Sequence, residues 1–251
     1  MSAPRLTVFA DEATLARELA QRLAAFIRER PTVVLGLPTG RTPVRLYHEL
    51  AAGHRRGEVN LSRVQTFNLD EFLGVPPSHP GSYRTFMETH LFGRVNIPSG
   101  AIHFLDGSAA DPDAECRRYE AAIVDAGGID LQILGIGTNG HIGFNEPAPE
   151  LAARTHRVRL RASTRRSNAA LFGGDPDSVP EEALSMGMAT ILQARRIWLI
   201  ATGKSKASCV RRVLEGGVTT KLPASFLQLH PDAEIIVDEK AASRQPPAAS
   251  L

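Results

Sequence analysis

Asn139, His141 and Glu146 are three polar side chains delivered directly after the run Leu131-Gln-Ile-Leu-Gly-Ile-Gly137. A histidine with a carboxylate nearby can be held in one tautomer and can take and return protons near neutral pH. The apolar run before them reads as a buried parallel strand. Gly135 and Gly137 let the backbone turn sharply there and pass close to whatever lies above. Open α/β sheets bind their ligands at the carboxyl ends of strands, which is where these three residues fall. Read alone, His141 is more often a satisfied loop histidine and Glu146 a solvated charge, because short motifs recur by chance. The rest of the chain has to decide.

Three further strand ends bear on that decision. Thr32-Val-Val-Leu-Gly-Leu-Pro-Thr-Gly-Arg-Thr-Pro43 reads as a buried strand, a turn and a helix with Pro43 in its first turn. Backbone N–H groups around Thr39, Gly40, Arg41 and Thr42 at such a junction suit an anion, phosphate above all, although an ordinary turn has the same outline. It is not a Walker loop, since the Gly-Lys-Ser/Thr ending is absent. The strand Val64–Leu69 runs straight into Asp70 and Glu71. Successive side chains on a strand point to opposite sides, so at most one of the two carboxylates serves the crevice and the other is free to cap a turn. Arg196–Gly203 is a fourth parallel-type strand, followed by Lys204 and Lys206 at the start of a helix. A lysine there opposes the helix dipole unless an anion sits nearby. In one parallel sheet the four ends share an edge, and together they point to a small phosphorylated substrate and acid–base chemistry without a cofactor.

The elements that must position these residues alternate between strand and helix, which predicts a doubly wound, mostly parallel, Rossmann-like α/β sheet with helices on both faces. Arg5–Ala10 reads as a strand, Asp11 as the cap of a helix over Ala13–Arg28, and Asp111–Ala126 as a helix. Ser82–Phe92 is a further helix, preceded by a proline-rich stretch in which His79 is as much structural as chemical. Arg157-Val-Arg-Leu-Arg161 alternates as a half-exposed strand, so most of the arginines from Arg154 to Arg166 face water, with one or two free to reach a phosphate. Gly173–Pro180 is a loop, and Met186–Leu192 a helix beneath the sheet.

At 251 residues the chain can bury a substantial core as one domain, over residues 1–242, with residues 243–251 a frayed tail. A net charge of +2 with dispersed arginines gives no reason for a nucleic-acid partner. Cys116 and Cys209 are the only cysteines, which excludes a disulfide framework and a multi-cysteine metal site. Met1–Thr7 lacks the pattern of a signal peptide and no apolar run would span a bilayer, so the expectation is a cytoplasmic protein without a membrane partner.

Leu35-Gly-Leu-Pro-Thr-Gly-Arg-Thr-Pro43, Phe67-Asn-Leu-Asp-Glu-Phe72, Gly135-Ile-Gly-Thr-Asn-Gly-His-Ile-Gly-Phe-Asn-Glu-Pro147 and Pro223-Ala-Ser-Phe-Leu-Gln-Leu-His230 resemble the glucosamine-6-phosphate deaminases, over about Thr7–Ala242. The resemblance implies conversion of glucosamine 6-phosphate to fructose 6-phosphate and ammonia, with no metal or redox cofactor. It makes His141 the ring-opening acid/base, assisted by Glu146 and by Asn139, where other members have aspartate. It makes Asp70 the base between C2 and C1, and Arg165 and Lys206 phosphate ligands beside the backbone of residues 39–42. The segment from about 151 to 174 matches a mobile lid.

Three departures accompany the resemblance. Arg41 stands where the family has glycine or serine, so it either points outward or adds a contact to the ligand. His156 and Val158 replace basic residues of the hexameric members' activator site, which implies no activation by N-acetylglucosamine 6-phosphate. The C-terminus is shorter than in the hexameric members, leaving monomer and homo-oligomer both open. The alternatives are a galactosamine-6-phosphate deaminase, a 6-phosphogluconolactonase-like hydrolase, which needs no base at C2, and a sugar-phosphate sensor. The sensor usually has a DNA-binding helix-turn-helix ahead of the domain, for which Met1–Arg5 is too short.

Overall fold

A computed structural model describes residues 4–243, so the tail expected at 243–251 lies, beyond Ser243, outside the described residues. The chain begins β1 (Arg5–Phe9), α1 (Glu12–Glu29), β2 (Val34–Leu37), α2 (Arg41–Arg55), β3 (Gln65–Asn68) and β4 (Asp70–Phe72). It continues through α3 (Tyr83–His90), β5 (Ile102–His103), α4 (Pro112–Asp125), β6 (Leu131–Leu134), β7 (His156–Arg159) and α5 (Ala162–Asn168). The last third is β8 (Glu182–Ser185), α6 (Met188–Leu192), β9 (Arg196–Ala201), α7 (Ala207–Glu215), β10 (Ala233–Asp238) and α8 (Glu239–Ala242).

Seven strands form one parallel sheet in the order β1-β10-β9-β6-β2-β3-β5. Alternate residues of the central strands face opposite layers, as the pleat requires. Leu35, Leu37, Leu131, Ile133, Trp198 and Ile200 pack with α1 and α2 through Leu19, Leu23, Leu46 and Tyr47. Val34, Phe67, Leu134, Ile197 and Leu199 pack on the other side with Tyr119 of α4, Ile191 of α6 and Val210 of α7. Burial on both faces explains why these strands read as continuous apolar runs, and it makes the fold the doubly wound α/β type. The strands β9, β6, β2 and β3 that carry the four suspect ends are consecutive neighbours in the sheet.

The pattern of residues did not announce a second sheet of three antiparallel strands, β4-β8-β7. The chain leaves β3 at Leu69 and enters β4 at once, so Asp70 pairs with Ser185 of β8 rather than continuing the parallel ladder. Phe72, Tyr83, Phe144, Leu160 and Val179 form a separate apolar cluster there. The segment 151–174 is therefore not uniform: β7 is fixed by its ladder to β8, whereas α5 and the 3-10 turn Ala169–Phe172 lie beyond it.

The adjacent acids separate as strand alternation requires. Glu71, 2% exposed, turns to the start of α3. It accepts from Tyr83 N at 3.0 Å, Arg84 N at 3.0 Å, Ser82 Oγ at 2.7 Å and Phe72 N at 2.9 Å. It is a helix cap, and burial raises its carboxyl above the usual range despite these donors. Glu71→Ala strands those donors in a dry site, so the urea midpoint is expected to fall by the equivalent of about 3 kcal/mol at unchanged m-value.

Candidate active site

The loop after β6 folds back on itself, with Gly137 N donating to the His141 carbonyl at 2.9 Å and Gly140 N to the Gly137 carbonyl at 3.0 Å. A Cβ at Gly137 would overlap the His141 ring, so this glycine is what allows the imidazole to lie down over the turn. Gly135 has open space around its side-chain position, so only the second of the two glycines answers a close approach.

Asn139 Nδ2 donates to Glu146 Oε2 at 2.6 Å, while Asn139 Oδ1 lies 2.8 Å from His141 Nδ1. A carboxylate only accepts, so the amide nitrogen must face Glu146 and the amide oxygen must face the imidazole. His141 Nδ1 then carries the hydrogen, and Nε2 is the atom left to exchange a proton with a ligand. Glu146 Oε1 lies 3.5 Å from the same Nδ1 and accepts from the buried hydroxyl of Thr164 in α5. Burial pushes the Glu146 carboxyl up, but His141, Thr164 and Asn139 outweigh it and hold the group at about 2. Glu146 is thus a permanent anion behind a histidine of fixed orientation.

Asp70 is a different carboxylate. It is 7% exposed, and among the described residues no group donates a hydrogen bond to its side chain. Burial first, and the neighbouring Glu71 second, push it up to about 8. Tyr47, Tyr83 and Tyr119 are buried close enough to feel its charge. Two of their hydroxyls are spent on carbonyls, Tyr47 on Pro38 at 2.5 Å and Tyr119 on Asn68 at 2.6 Å. A carboxyl in a dry site without a fixed donor is equipped to pick up and hand back a proton.

The expected phosphate residues divide. Gly40, with φ +98°, precedes the first turn of α2 and no side chain caps that turn. Arg41 is exposed and makes no ion pair among the described residues. Lys206 sits on a 3-10 turn after β9, and its Nζ donates to the Ile136 carbonyl at 2.6 Å, which ties it to the loop after β6. Burial holds Lys206 below the ordinary lysine range, and the charge of Arg41 acts in the same direction. The two cations lie close enough for the charge of one to act on the other. Arg165, by contrast, spends its guanidinium on the Val179 carbonyl at 3.1 Å and on Asp177 at 3.3 Å, within its own segment.

Two residues of the site escape a reading of the sequence. Thr164 reaches Glu146 across a long loop, and no spacing rule connects them. Tyr83 lies close to Thr39, donates to Asn168 Oδ1 at 3.1 Å and stacks on Phe144 at 5.9 Å, placing the loop after β2 next to α5. The only signal for Tyr83 was its place in the first turn of an expected helix. Among the described residues no cluster of three or more His, Cys, Asp or Glu side chains is placed to hold a metal ion.

A doubly wound sheet that sets a histidine–carboxylate pair, a dry aspartate and an anion-receptive edge on four neighbouring strand ends defines a small-molecule acid–base enzyme. Residues 10–236 match the family of glucosamine-6-phosphate isomerases/6-phosphogluconolactonase, and the chain belongs to that family. It is 46% identical over 239 residues to the glucosamine-6-phosphate deaminase of Beutenbergia cavernae, covering 95% of this chain and 92% of that one. Glucosamine-6-phosphate deaminase 2 of Bacillus subtilis is 48% identical over 232 residues, 90% of this chain and 93% of its own. The fold superposes with a TM-score of 0.92 on the structure of a monomeric glucosamine-6-phosphate deaminase, at 41% identity over 96% of this chain and all of the other. The 6-phosphogluconolactonase of Thermotoga maritima shares the fold, with a TM-score of 0.73 at 22% identity over 94% of this chain and 100% of that one.

Proposed function

We propose that this protein deaminates and isomerises glucosamine 6-phosphate, giving fructose 6-phosphate and ammonia. The observation that carries the reading is the pair of unlike proton handlers. His141 is oriented by Asn139 and Glu146, and Asp70 is buried just past the end of β3, two strands from β6, with no hydrogen-bond donor among the described residues. His141 Nε2 moves the anomeric hydroxyl proton to the ring oxygen and opens the sugar. Asp70 takes the proton from C2 and returns it to C1. The aldehyde becomes an alcohol and the C2 amine becomes an imine, which water hydrolyses to ketone and ammonia. A lactone hydrolase needs no group at C2, so the reading accounts for Asp70 where the hydrolase leaves it idle. Relatives at 46–49% identity with the same activity support it.

Lys206, Arg41 and the backbone of Thr39, Gly40 and Thr42 hold the phosphate in this reading. Arg165 joins them only by leaving Val179 and Asp177, which makes its contribution depend on movement of its segment. The part of 151–174 free to act as a lid is α5 with its following turn, since β7 is laddered to β8. No described helix is long and apolar enough to cross a membrane, and a phosphorylated sugar as substrate fits a cytoplasmic enzyme.

The test is ammonia release from glucosamine 6-phosphate, with galactosamine 6-phosphate in parallel and fructose 6-phosphate measured as product. One fructose 6-phosphate per ammonia supports the reading, and activity confined to the galacto epimer moves the specificity at C4. Silence on both amino sugars with hydrolysis of 6-phosphogluconolactone would sink it. Arg41→Ser should raise KM for the sugar phosphate about tenfold with a smaller change in kcat, as loss of a ground-state phosphate contact does.

A further inference from the structure

Glu146 is bonded on both oxygens before any substrate is considered, and one of those bonds comes from the lid rather than from the loop. Thr164 is 4% exposed, and its hydroxyl donates to Glu146 Oε1, the same oxygen that lies 3.5 Å from His141 Nδ1. Asn139 occupies Oε2 at 2.6 Å. With both oxygens engaged, the carboxylate stands one step back from the imidazole, and Asn139 Oδ1 at 2.8 Å is the nearer acceptor for Nδ1–H.

Thr164 is itself held from several sides. Its carbonyl accepts from Ser167 Oγ at 2.8 Å and Asn168 Nδ2 at 2.9 Å. Just before α5, the Arg161 guanidinium donates to the carbonyl of Pro147, the residue after Glu146. At the far end Asn168 accepts from Tyr83, and the Phe172 ring lies over Gly81, where a Cβ would come within 2.6 Å of it, and stacks on His79 at 5.5 Å. The helix is therefore stapled to the catalytic loop at its start and to the α3 region at its end. Any displacement of α5 from this position withdraws a hydroxyl from Glu146.

We infer that Thr164 is a positioning residue that couples the placement of the lid helix to the His141–Glu146 pair, so that the acid–base group is correctly set only when α5 is down. The inference rests on the proposed roles of His141 and Glu146. With Thr164 in place, Glu146 Oε1 is pinned and the imidazole keeps Asn139 as its partner. When α5 lifts, Oε1 loses its fixed donor and is free to turn onto Nδ1, and the imidazole leaves the position set by Asn139. Ring opening is thereby confined to the state in which the lid helix covers the site.

A double-mutant cycle tests this. Thr164→Val keeps the shape and removes the donor, and it should lower kcat for ammonia release about tenfold or more while KM moves less than threefold. Thr164→Ser restores the hydroxyl and should return kcat to within about threefold of the unaltered enzyme. In a Glu146→Gln background Thr164→Val should cause no further loss, because its effect runs through the carboxylate. A second readout needs no turnover. In protein labelled with carboxyl-13C glutamate, the Glu146 signal (identified by its loss in Glu146→Gln) should titrate well above about 2 in Thr164→Val and return in Thr164→Ser. Multiplicative losses in the cycle, or an unmoved Glu146 titration, would overturn the inference. If circular dichroism shows Thr164→Val unfolded, Thr164→Ala takes its place with the same criteria. Absence of ammonia from the unaltered enzyme would count against the proposed reaction, and the titration would still decide the role of Thr164.

Discussion

Asp70→Asn is expected to reduce ammonia release roughly 10^3-fold while leaving the protein folded and, at alkaline pH, more stable than before. The amide is nearly the same shape, so the site keeps its walls, and what disappears is the ability to take the C2 proton. The direct check is hydrogen transfer and exchange: with substrate deuterated at C2 the unaltered enzyme should deliver deuterium to C1 of fructose 6-phosphate, less whatever exchanges with water, and the variant should do neither. Turnover and exchange that survive in Asp70→Asn would mean another group moves the proton. The pH dependence carries its own sign. In the free enzyme the Asp70 carboxyl is pushed up to about 8, so below that pH the free site holds the neutral acid. kcat/KM should therefore rise close to tenfold per pH unit towards about 8 and then level. The ammonium group of a bound amino sugar favours the carboxylate, so the kcat profile should break at lower pH than that of kcat/KM.

The same shift fixes how stability varies with pH. The ordinary value is 3.8 and the folded value about 8, so between these limits the native state keeps a proton that the unfolded chain has released. Stability then falls as pH rises through that window, with no penalty from this group below about 4 and the full penalty above about 8. Since one pH unit corresponds to about 1.4 kcal/mol, the carboxylate costs the fold on the order of 6 kcal/mol at the alkaline end. Tm of Asp70→Asn should accordingly exceed that of the unaltered protein by a margin that widens from pH 5 to pH 8. Such a cost marks a carboxyl kept for what it does, since its partner in sequence, Glu71, is given four donors and caps a helix.

Most of what positions the site is visible in local sequence. The parallel strands are short apolar runs that end in glycine or acid, the caps Asp11 and Asp111 are where capping chemistry demands them, and alternation separates Asp70 from Glu71. The half-exposed arginine strand is also present as β7, with Arg157 and Arg159 paired to Glu182 and Glu181. The antiparallel sheet stayed hidden because β4 has three residues and β8 four, too few to show a period. Their pairing exists only because the chain between them folds back. Thr164, Tyr83 and the ties of Arg165 were hidden for a related reason. Thr164 and Tyr83 act on segments distant in sequence and Arg165 turns back on its own, and composition records a segment but not its docking. Gly137 and Gly135 look alike as letters, and only the ring of His141 lying against one of them tells them apart.

His141→Gln should slow turnover of glucosamine 6-phosphate about 10^2-fold, and its defect should depend on whether the substrate has a ring to open. Glutamine can still hydrogen-bond to Asn139 but cannot take up and release a proton near neutral pH. A 4,5-dideoxy analogue of the substrate has no hydroxyl placed to close a pyranose or a furanose, so it reaches the site already as the open aldehyde. On that analogue His141→Gln should recover to within about tenfold of the unaltered enzyme, whereas Asp70→Asn should remain as impaired as on the natural sugar. The two variants thus separate the two proton transfers that the proposed mechanism gives to different residues. Equal impairment of His141→Gln on both substrates would place the histidine in the C2-to-C1 transfer instead. Asp70 would then have to act by charge alone, which its protonated state in the free site does not favour. Recovery on the open chain keeps the division of labour, with a histidine set by Asn139 and Glu146 for the ring and a dry aspartate for carbon.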